Sequence, residues 1–199
     1  MIAIVDYGVG NLFSLSSSLK ALGLETEVTR DASRLRAADR IILPGVGAFG
    51  DAKAKLDDTG LVPVIREEAA RKPLLGICLG MQLLFEKSFE YGEHEGLGLL
   101  KGQVVPMEGL LPGPLKIPHM GWNRLEVRGG RLLQAVDGQY VYFVHSYFAK
   151  GCEDSLTAVT EYGIPITAAV EQGNIFGSQF HPEKSGNVGL SILHTFCDI

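Results

Sequence analysis

A cysteine lies between two glycines in the segment Gly76-Ile77-Cys78-Leu79-Gly80, where an apolar strand pattern stops and a helical pattern begins. This spacing is typical of a nucleophile elbow, a tight turn whose glycines avoid collisions between a Cβ and the neighbouring backbone. The helix N-terminus favours the thiolate, and the Leu79 amide is placed to donate to an oxyanion. We therefore predict that Cys78 is a nucleophile. The alternative is a buried, unreactive cysteine in a glycine-rich turn.

A base for this thiol is indicated by His181-Pro182-Glu183, which follows an apolar run at residues 175–180. Residues two apart in an extended chain point to the same side. Glu183 can then accept a hydrogen bond from the His181 ring, fix its tautomer and stabilise the imidazolium. The alternative is a surface turn with an incidental ion pair.

A third glycine-rich segment, residues 44–50, also follows an apolar strand pattern. Main-chain amides of Gly45, Val46 and Gly47 can approach a ligand closely, which suits the second half of an oxyanion hole. The alternatives are a flexible loop or a phosphate cradle, and the cradle is disfavoured because no Gly-Lys-Ser/Thr follows. Residues 8–10 hint at dinucleotide binding, but Phe13 replaces the third glycine, so we expect no cofactor.

The elements that must position these residues alternate between strand and helix patterns in the first half of the chain. This alternation predicts an α/β fold with a doubly wound, mostly parallel open sheet flanked by helices. One helix is predicted over residues 56–70, and a last one over residues 188–196. From about Gly102 short alternating runs predict an antiparallel extension of the sheet. These runs are residues 122–127, 139–148, 155–160, 166–171 and 175–180.

Composition limits the classes of function. The 199 residues, 46% hydrophobic, predict one domain over residues 1–199. A net charge of -5 disfavours nucleic acid, and no apolar run approaches the roughly 20 residues that cross a membrane. The spacing of the cysteines and histidines suits neither disulfides nor a metal site. We expect a cytoplasmic protein.

Together the three motifs resemble the class I, or triad, glutamine amidotransferases, over essentially the whole chain. Within that superfamily the chain is most similar to the glutaminase subunits that serve imidazole glycerol phosphate synthase in histidine biosynthesis. The segments that carry this resemblance are residues 6–11, 44–47, 76–85, 118–123, 142–147 and 179–185.

The resemblance implies that a Cys78-His181-Glu183 triad hydrolyses glutamine to glutamate and ammonia, with the oxyanion held by Leu79 and the loop at residues 45–47. It also implies a set of glutamine-binding residues: Gln82, Glu90, Val144, His145, Ser146 and Tyr147. Considered alone, Gln82 could be a solvated helix residue, and His145 a hydrogen-bonded core histidine without a catalytic role.

The resemblance further implies a heterodimer with a (β/α)8-barrel cyclase subunit, which uses the ammonia to make imidazole glycerol phosphate and an aminoimidazole carboxamide ribotide. The implied interface comprises Asn11, Pro118, His119, Met120, Gly121, Trp122 and Lys184. An exposed Trp122 would also suit an interface anchor, and Asn11 could instead cap the first helix.

Three alternatives stay open at this point. The chain could be the glutaminase subunit of another amidotransferase, serving pyridoxal phosphate, aminodeoxychorismate or guanylate synthesis. It could be a catalytically silent regulatory module of the same fold, in which Cys78 would be unreactive. A cysteine hydrolase of peptides or esters would share the elbow.

Overall fold

The computed structural model describes residues 1–199 and consists of three sheets and six α-helices. Helices α1 to α6 span Leu12–Ala21, Ala32–Ala37, Phe49–Asp58, Val62–Ala69, Leu79–Leu83 and Gly186–Asp198. Strands β1 to β9 span Ile2–Val5, Thr26–Thr29, Arg40–Leu43, Leu74–Ile77, Lys87–Ser88, His94–Glu95, Gln103–Pro106, His119–Arg124 and Glu126–Val127. Strands β10 to β14 span Tyr140–His145, Tyr147–Lys150, Leu156–Glu161, Pro165–Gln172 and Ile175–Ser178.

The largest sheet has eight strands in the order β2-β1-β3-β4-β14-β13-β12-β9. The first five are parallel to one another, and β13, β12 and β9 continue antiparallel. Alternate residues of the central strands enter opposite cores: Ala3 and Val5 of β1 pack on one side, and Ile2 and Ile4 on the other. Burial of both faces explains the nearly continuous apolar runs of these strands. The predicted mostly parallel α/β sheet with an antiparallel extension is confirmed.

The later strands differ from the prediction of a single extended sheet. β8 and β10 form a separate two-stranded sheet, and β11, β7, β5 and β6 form a four-stranded one. The predicted strand at residues 139–148 is divided at Ser146, where the chain leaves one small sheet for the other. β14, which we grouped with the antiparallel runs, is parallel to its neighbour β4 and antiparallel only to β13.

The helix predicted over residues 56–70 is two helices, α3 and α4. Gly60 adopts a positive φ of 69°, which ends α3. Pro63 lies in the first turn of α4, where its missing N–H costs no helical hydrogen bond. No helix is both long and apolar enough to span a membrane.

Candidate active site

The predicted reactive groups follow the ends of three adjacent parallel strands. The loop at residues 45–47 follows β3, Cys78 follows β4, and His181 follows β14 after a short extension. These strands are hydrogen-bonded neighbours in the order β3-β4-β14. The site therefore lies at the carboxyl edge of the sheet, where open α/β sheets place their ligands.

Cys78 occupies a strained turn, with φ 55° and ψ -110°, directly before the first residue of α5. A Cβ added to Gly76 would stand 2.6 Å from the carbonyl oxygen of Gly80, and one added to Gly80 would stand 1.9 Å from that of Leu43. A larger residue at either position would therefore displace backbone. The structure has the geometry of a nucleophile elbow, and Leu79 begins α5 with an amide that has no partner within the helix.

His181 and Glu183 form a buried pair. The Nδ1 atom of His181 lies 2.8 Å from Oε1 of Glu183, and both side chains are at least 97% buried, with exposures of 1% and 3%. Burial lowers the pKa of His181, but hydrogen bonding and charge interactions with Cys78 and Glu183 outweigh it and raise the pKa to about 9. The Nε2 atom makes no hydrogen bond of standard geometry. The ring is therefore suited to stay protonated beside a thiolate.

The glycine-rich loop packs tightly on the elbow. A Cβ on Gly45 would lie 2.6 Å from the amide nitrogen of Gly80, so this close approach requires glycine. The Tyr7 hydroxyl donates to the Pro44 carbonyl at 2.6 Å, and burial raises the pKa of this tyrosine. The loop is thus anchored at its start, whereas Gly47, with φ 95°, borders open space.

A cavity of about 260 Å³ opens in front of Cys78. Its walls include these predicted site residues: Val46, Gly47, Leu79, Gln82, Glu90, Val144, His145, Ser146 and His181. Pro118 and Lys184, which we predicted at a partner interface, complete the lining. Gly45, Tyr147 and Glu183 lie outside it, Glu183 on the far side of the His181 ring.

Gln82 and Glu90 each use part of their hydrogen-bonding capacity within the protein. The Nε2 atom of Gln82 donates to the Tyr147 carbonyl at 3.0 Å and to Oε1 of Gln179 at 3.1 Å. Oε2 of Glu90 accepts from the Phe49 amide at 2.7 Å, at the start of α3. Partial burial raises the pKa of Glu90. One oxygen of each side chain is left to face a ligand.

Gln179 is a buried neighbour of the thiol that the sequence analysis did not single out. Its Nε2 atom lies 3.8 Å from Sγ of Cys78, and the Val144 carbonyl lies 3.9 Å from the same sulfur. The available signal was the position of Gln179 two residues before His181, on the short segment that follows β14.

His119 and His145 form a hydrogen-bonded pair. Nδ1 of His119 lies 3.1 Å from Nε2 of His145, whose Nδ1 lies 2.8 Å from the Tyr147 carbonyl. Burial lowers the pKa of His119 to about 4 and that of His145 to about 3, so both rings are neutral. The His119 ring is stacked on Tyr162 and is only 2% exposed. Strand alternation turns the His119 side chain inward, so its predicted contact with a partner stays a prediction that the buried ring does not support.

The same alternation turns two other predicted interface residues outward. Met120 is 60% exposed and Trp122 is 53% exposed on β8. Lys184 is exposed with its Nζ 5.9 Å from the centre of the Tyr142 ring. Asn11 precedes α1 but makes no capping hydrogen bond through its side chain, so the alternative capping role is wrong.

Comparisons with known proteins agree with this geometry. Residues 3–198 match the family described as Glutamine amidotransferase class-I. The chain is 50% identical over 204 residues to Imidazole glycerol phosphate synthase subunit HisH of Geobacillus kaustophilus, covering 100% of this chain and 97% of that protein. It is 52% identical over 200 residues to the subunit of the same name from Caldanaerobacter subterraneus, covering 98% and 97% respectively.

Among solved structures, that of PurLQS from Thermotoga maritima matches with a TM-score of 0.76 at 22% identity, covering 99% of this chain and 97% of that one. This likeness shows the fold, while the family match and the full-length relatives show the family. The chain therefore belongs to the class I glutamine amidotransferases and, among them, to the family of HisH subunits of imidazole glycerol phosphate synthase.

Proposed function

We propose that the chain acts as one domain that hydrolyses glutamine through Cys78, His181 and Glu183 and supplies the ammonia for imidazole glycerol phosphate synthesis in histidine biosynthesis. The observation that carries the proposal is the strained Cys78 turn opening into the same cavity as the His181 ring, with Glu183 2.8 Å from the ring's other nitrogen. The HisH relatives support the pathway.

In this mechanism the Cys78 thiolate attacks the side-chain amide carbon of glutamine and forms a tetrahedral intermediate. The Leu79 amide and an amide of the loop at residues 45–47 hold its negative oxygen. His181 protonates the departing ammonia and then takes a proton from the water that hydrolyses the thioester. Glu183 keeps the ring oriented throughout.

The glutamine amino-acid group would lie against the polar walls of the cavity. Oxygens of Gln82 and Glu90 suit the ammonium group, because each has one oxygen without a hydrogen-bond partner in the protein. Backbone N–H groups of the segment at residues 144–147, of which the first three residues line the cavity, would donate to the carboxylate. The cavity, at about 260 Å³, is near the lower end of the usual range for small-molecule sites, roughly 300 Å³.

Ammonia would pass to a (β/α)8-barrel cyclase subunit docked on the face that carries Met120 and Trp122. Both side chains are large, apolar and more than half exposed, which suits interface anchors. Lys184 is exposed, lies over the ring of Tyr142, which contacts Trp122, and lines the cavity. The proposal places the complex in the cytoplasm, and three unpaired cysteines are consistent with a reducing compartment.

Glutamate release tests the proposal, measured for the chain alone and with the cyclase subunit of its source organism and the ribonucleotide substrate. We expect strong stimulation by the loaded barrel and its loss in Cys78→Ala, while Cys152→Ala, a buried cysteine outside the cavity, keeps activity. Glutamine turnover that the barrel subunit does not change would indicate that the chain supplies ammonia to another acceptor. No turnover in any mixture would favour the silent module.

A further inference from the structure

A buried chain of hydrogen bonds runs from a backbone carbonyl to the nucleophile. It begins at the Tyr147 carbonyl, passes through Gln82 and Gln179, and ends at Sγ of Cys78, with successive distances of 3.0, 3.1 and 3.8 Å. Gln82 is 4% exposed and Gln179 is 0% exposed. The bonds that Gln179 makes to Gln82 and to the sulfur are therefore shielded from water, and shielded hydrogen bonds are stronger than those in solvent.

The donor and the acceptor of each hydrogen bond follow from the carbonyl at which the series begins. A backbone carbonyl can only accept, so Gln82 must present its amide nitrogen to Tyr147. The same nitrogen faces Gln179, which must then present its oxygen. The other terminal atom of Gln179 is consequently its NH2 group, and this donor faces the sulfur.

The Gln179 amide is held in place from both ends. Its backbone N–H donates to the Ala168 carbonyl at 2.8 Å on β13, and Gln82 holds its side-chain oxygen. Gln179 does not line the glutamine cavity, and its two terminal atoms face Gln82 and the sulfur. A fixed, uncharged donor aimed at sulfur stabilises the thiolate relative to the thiol and restricts the position of the sulfur.

We propose that Gln179 is a positioning residue that donates a hydrogen bond to the Cys78 thiolate and holds it ready for attack, with Gln82 fixing the orientation of its amide. This inference rests on the proposed role of Cys78 as the nucleophile. His181 supplies the positive charge beside the sulfur, and Gln179 supplies a donor that stays the same whether His181 is protonated or neutral.

The test measures the rate of Cys78 alkylation by iodoacetamide against pH in the full-length chain, with mass spectrometry to separate Cys78 from Cys152 and Cys197. Gln179→Met removes the donor and conserves length. Gln179→Glu keeps the acceptor for Gln82 but points a carboxylate at the sulfur. Gln172→Met, the same change at an exposed position, is the control.

We expect the alkylation midpoint to rise by about one pH unit in Gln179→Met, equivalent to about tenfold less thiolate below the midpoint. The midpoint should rise further in Gln179→Glu and stay unchanged in Gln172→Met. A merely structural role would not produce this order. If Gln179→Met fails to fold, the nearly isosteric Gln179→Glu still decides the question.

Glutamine kinetics separate positioning from binding. We expect kcat to fall in both Gln179 variants, with KM changed by less than about twofold, because Gln179 lies outside the cavity. Equal alkylation midpoints in all variants, or a lower one in Gln179→Met, would overturn the proposal. Alkylation needs no substrate, so its result stands even if the chain proves not to hydrolyse glutamine.

Discussion

Replacing Gly80 with alanine has two opposite effects on the stability of the protein at the elbow. Gly80 lies inside α5, and alanine is favoured over glycine in a helix by about 1 kcal/mol. A Cβ at this position would stand 1.9 Å from the Leu43 carbonyl oxygen and 2.8 Å from its carbon. Both atoms belong to the backbone of β3, so no side chain can rotate away.

Overpacking of this kind costs about 1–3 kcal/mol, and the contact with Leu43 is short enough to favour the upper end. We therefore expect Gly80→Ala to lower the free energy of unfolding by about 2 kcal/mol after the gain in helix propensity is included. For a chain of this length the melting temperature should fall by about 4–8 °C.

Urea unfolding followed by circular dichroism measures this change. Gly129→Ala is the matched control, because a Cβ there meets nothing within 4 Å and the residue has no positive φ. Glutaminase activity should fall in Gly80→Ala, since relief of the clash must displace the turn that holds Cys78. A Gly80→Ala protein as stable as the wild type would show that the backbone at the elbow shifts without a cost in stability, which would refute the expected clash.

Two further predictions concern the charge of the site and its exposed face. Glu183→Gln removes an interaction that helps to raise the pKa of His181 to about 9 from its ordinary value of 6.5. The stabilisation from this proton is complete below pH 6.5 and is lost as pH rises through about 9. Urea unfolding should therefore show a smaller decrease in the free energy of unfolding over that interval in the variant than in the wild type. Equal decreases would contradict this. Trp122→Ala should weaken binding of the barrel subunit by about 2 kcal/mol in titration calorimetry. Val28→Ala, on the distant edge strand β2, should leave the affinity unchanged, and equal affinities for both variants would reject the anchor role of Trp122.

The reactive groups could be predicted from the sequence because their placement depends on local turn chemistry and on strand ends. The glycines at 76 and 80 indicate a close approach of backbone, and the structure shows which carbonyls they meet. The predicted hydrogen bond between His181 and Glu183 is present, but a 3₁₀ turn over Pro182–Lys184 forms it, not the extended chain that the prediction assumed.

Features that depend on contacts between distant segments could not be predicted in this way. The inward orientation of His119 is decided by pairing of β8 with β10, and its ring stacks on Tyr162, 43 positions away in the sequence. Alternation along β8 allows either face to be buried until that pairing is known. The contact between Gln179 and Cys78 joins residues 101 positions apart, so the position of Gln179 two residues before His181 places it near the site but does not show that it reaches the sulfur.

The Tyr147 carbonyl accepts hydrogen bonds from both Gln82 and His145, so two walls of the cavity are oriented by one atom. Because this atom belongs to the main chain, no substitution at position 147 deletes it. A substitution at position 147 therefore changes the side chain there and leaves in place the acceptor that orients both neighbours. Substitutions of Gln82 or His145 remove a donor, whereas their common acceptor is a main-chain atom that no substitution removes.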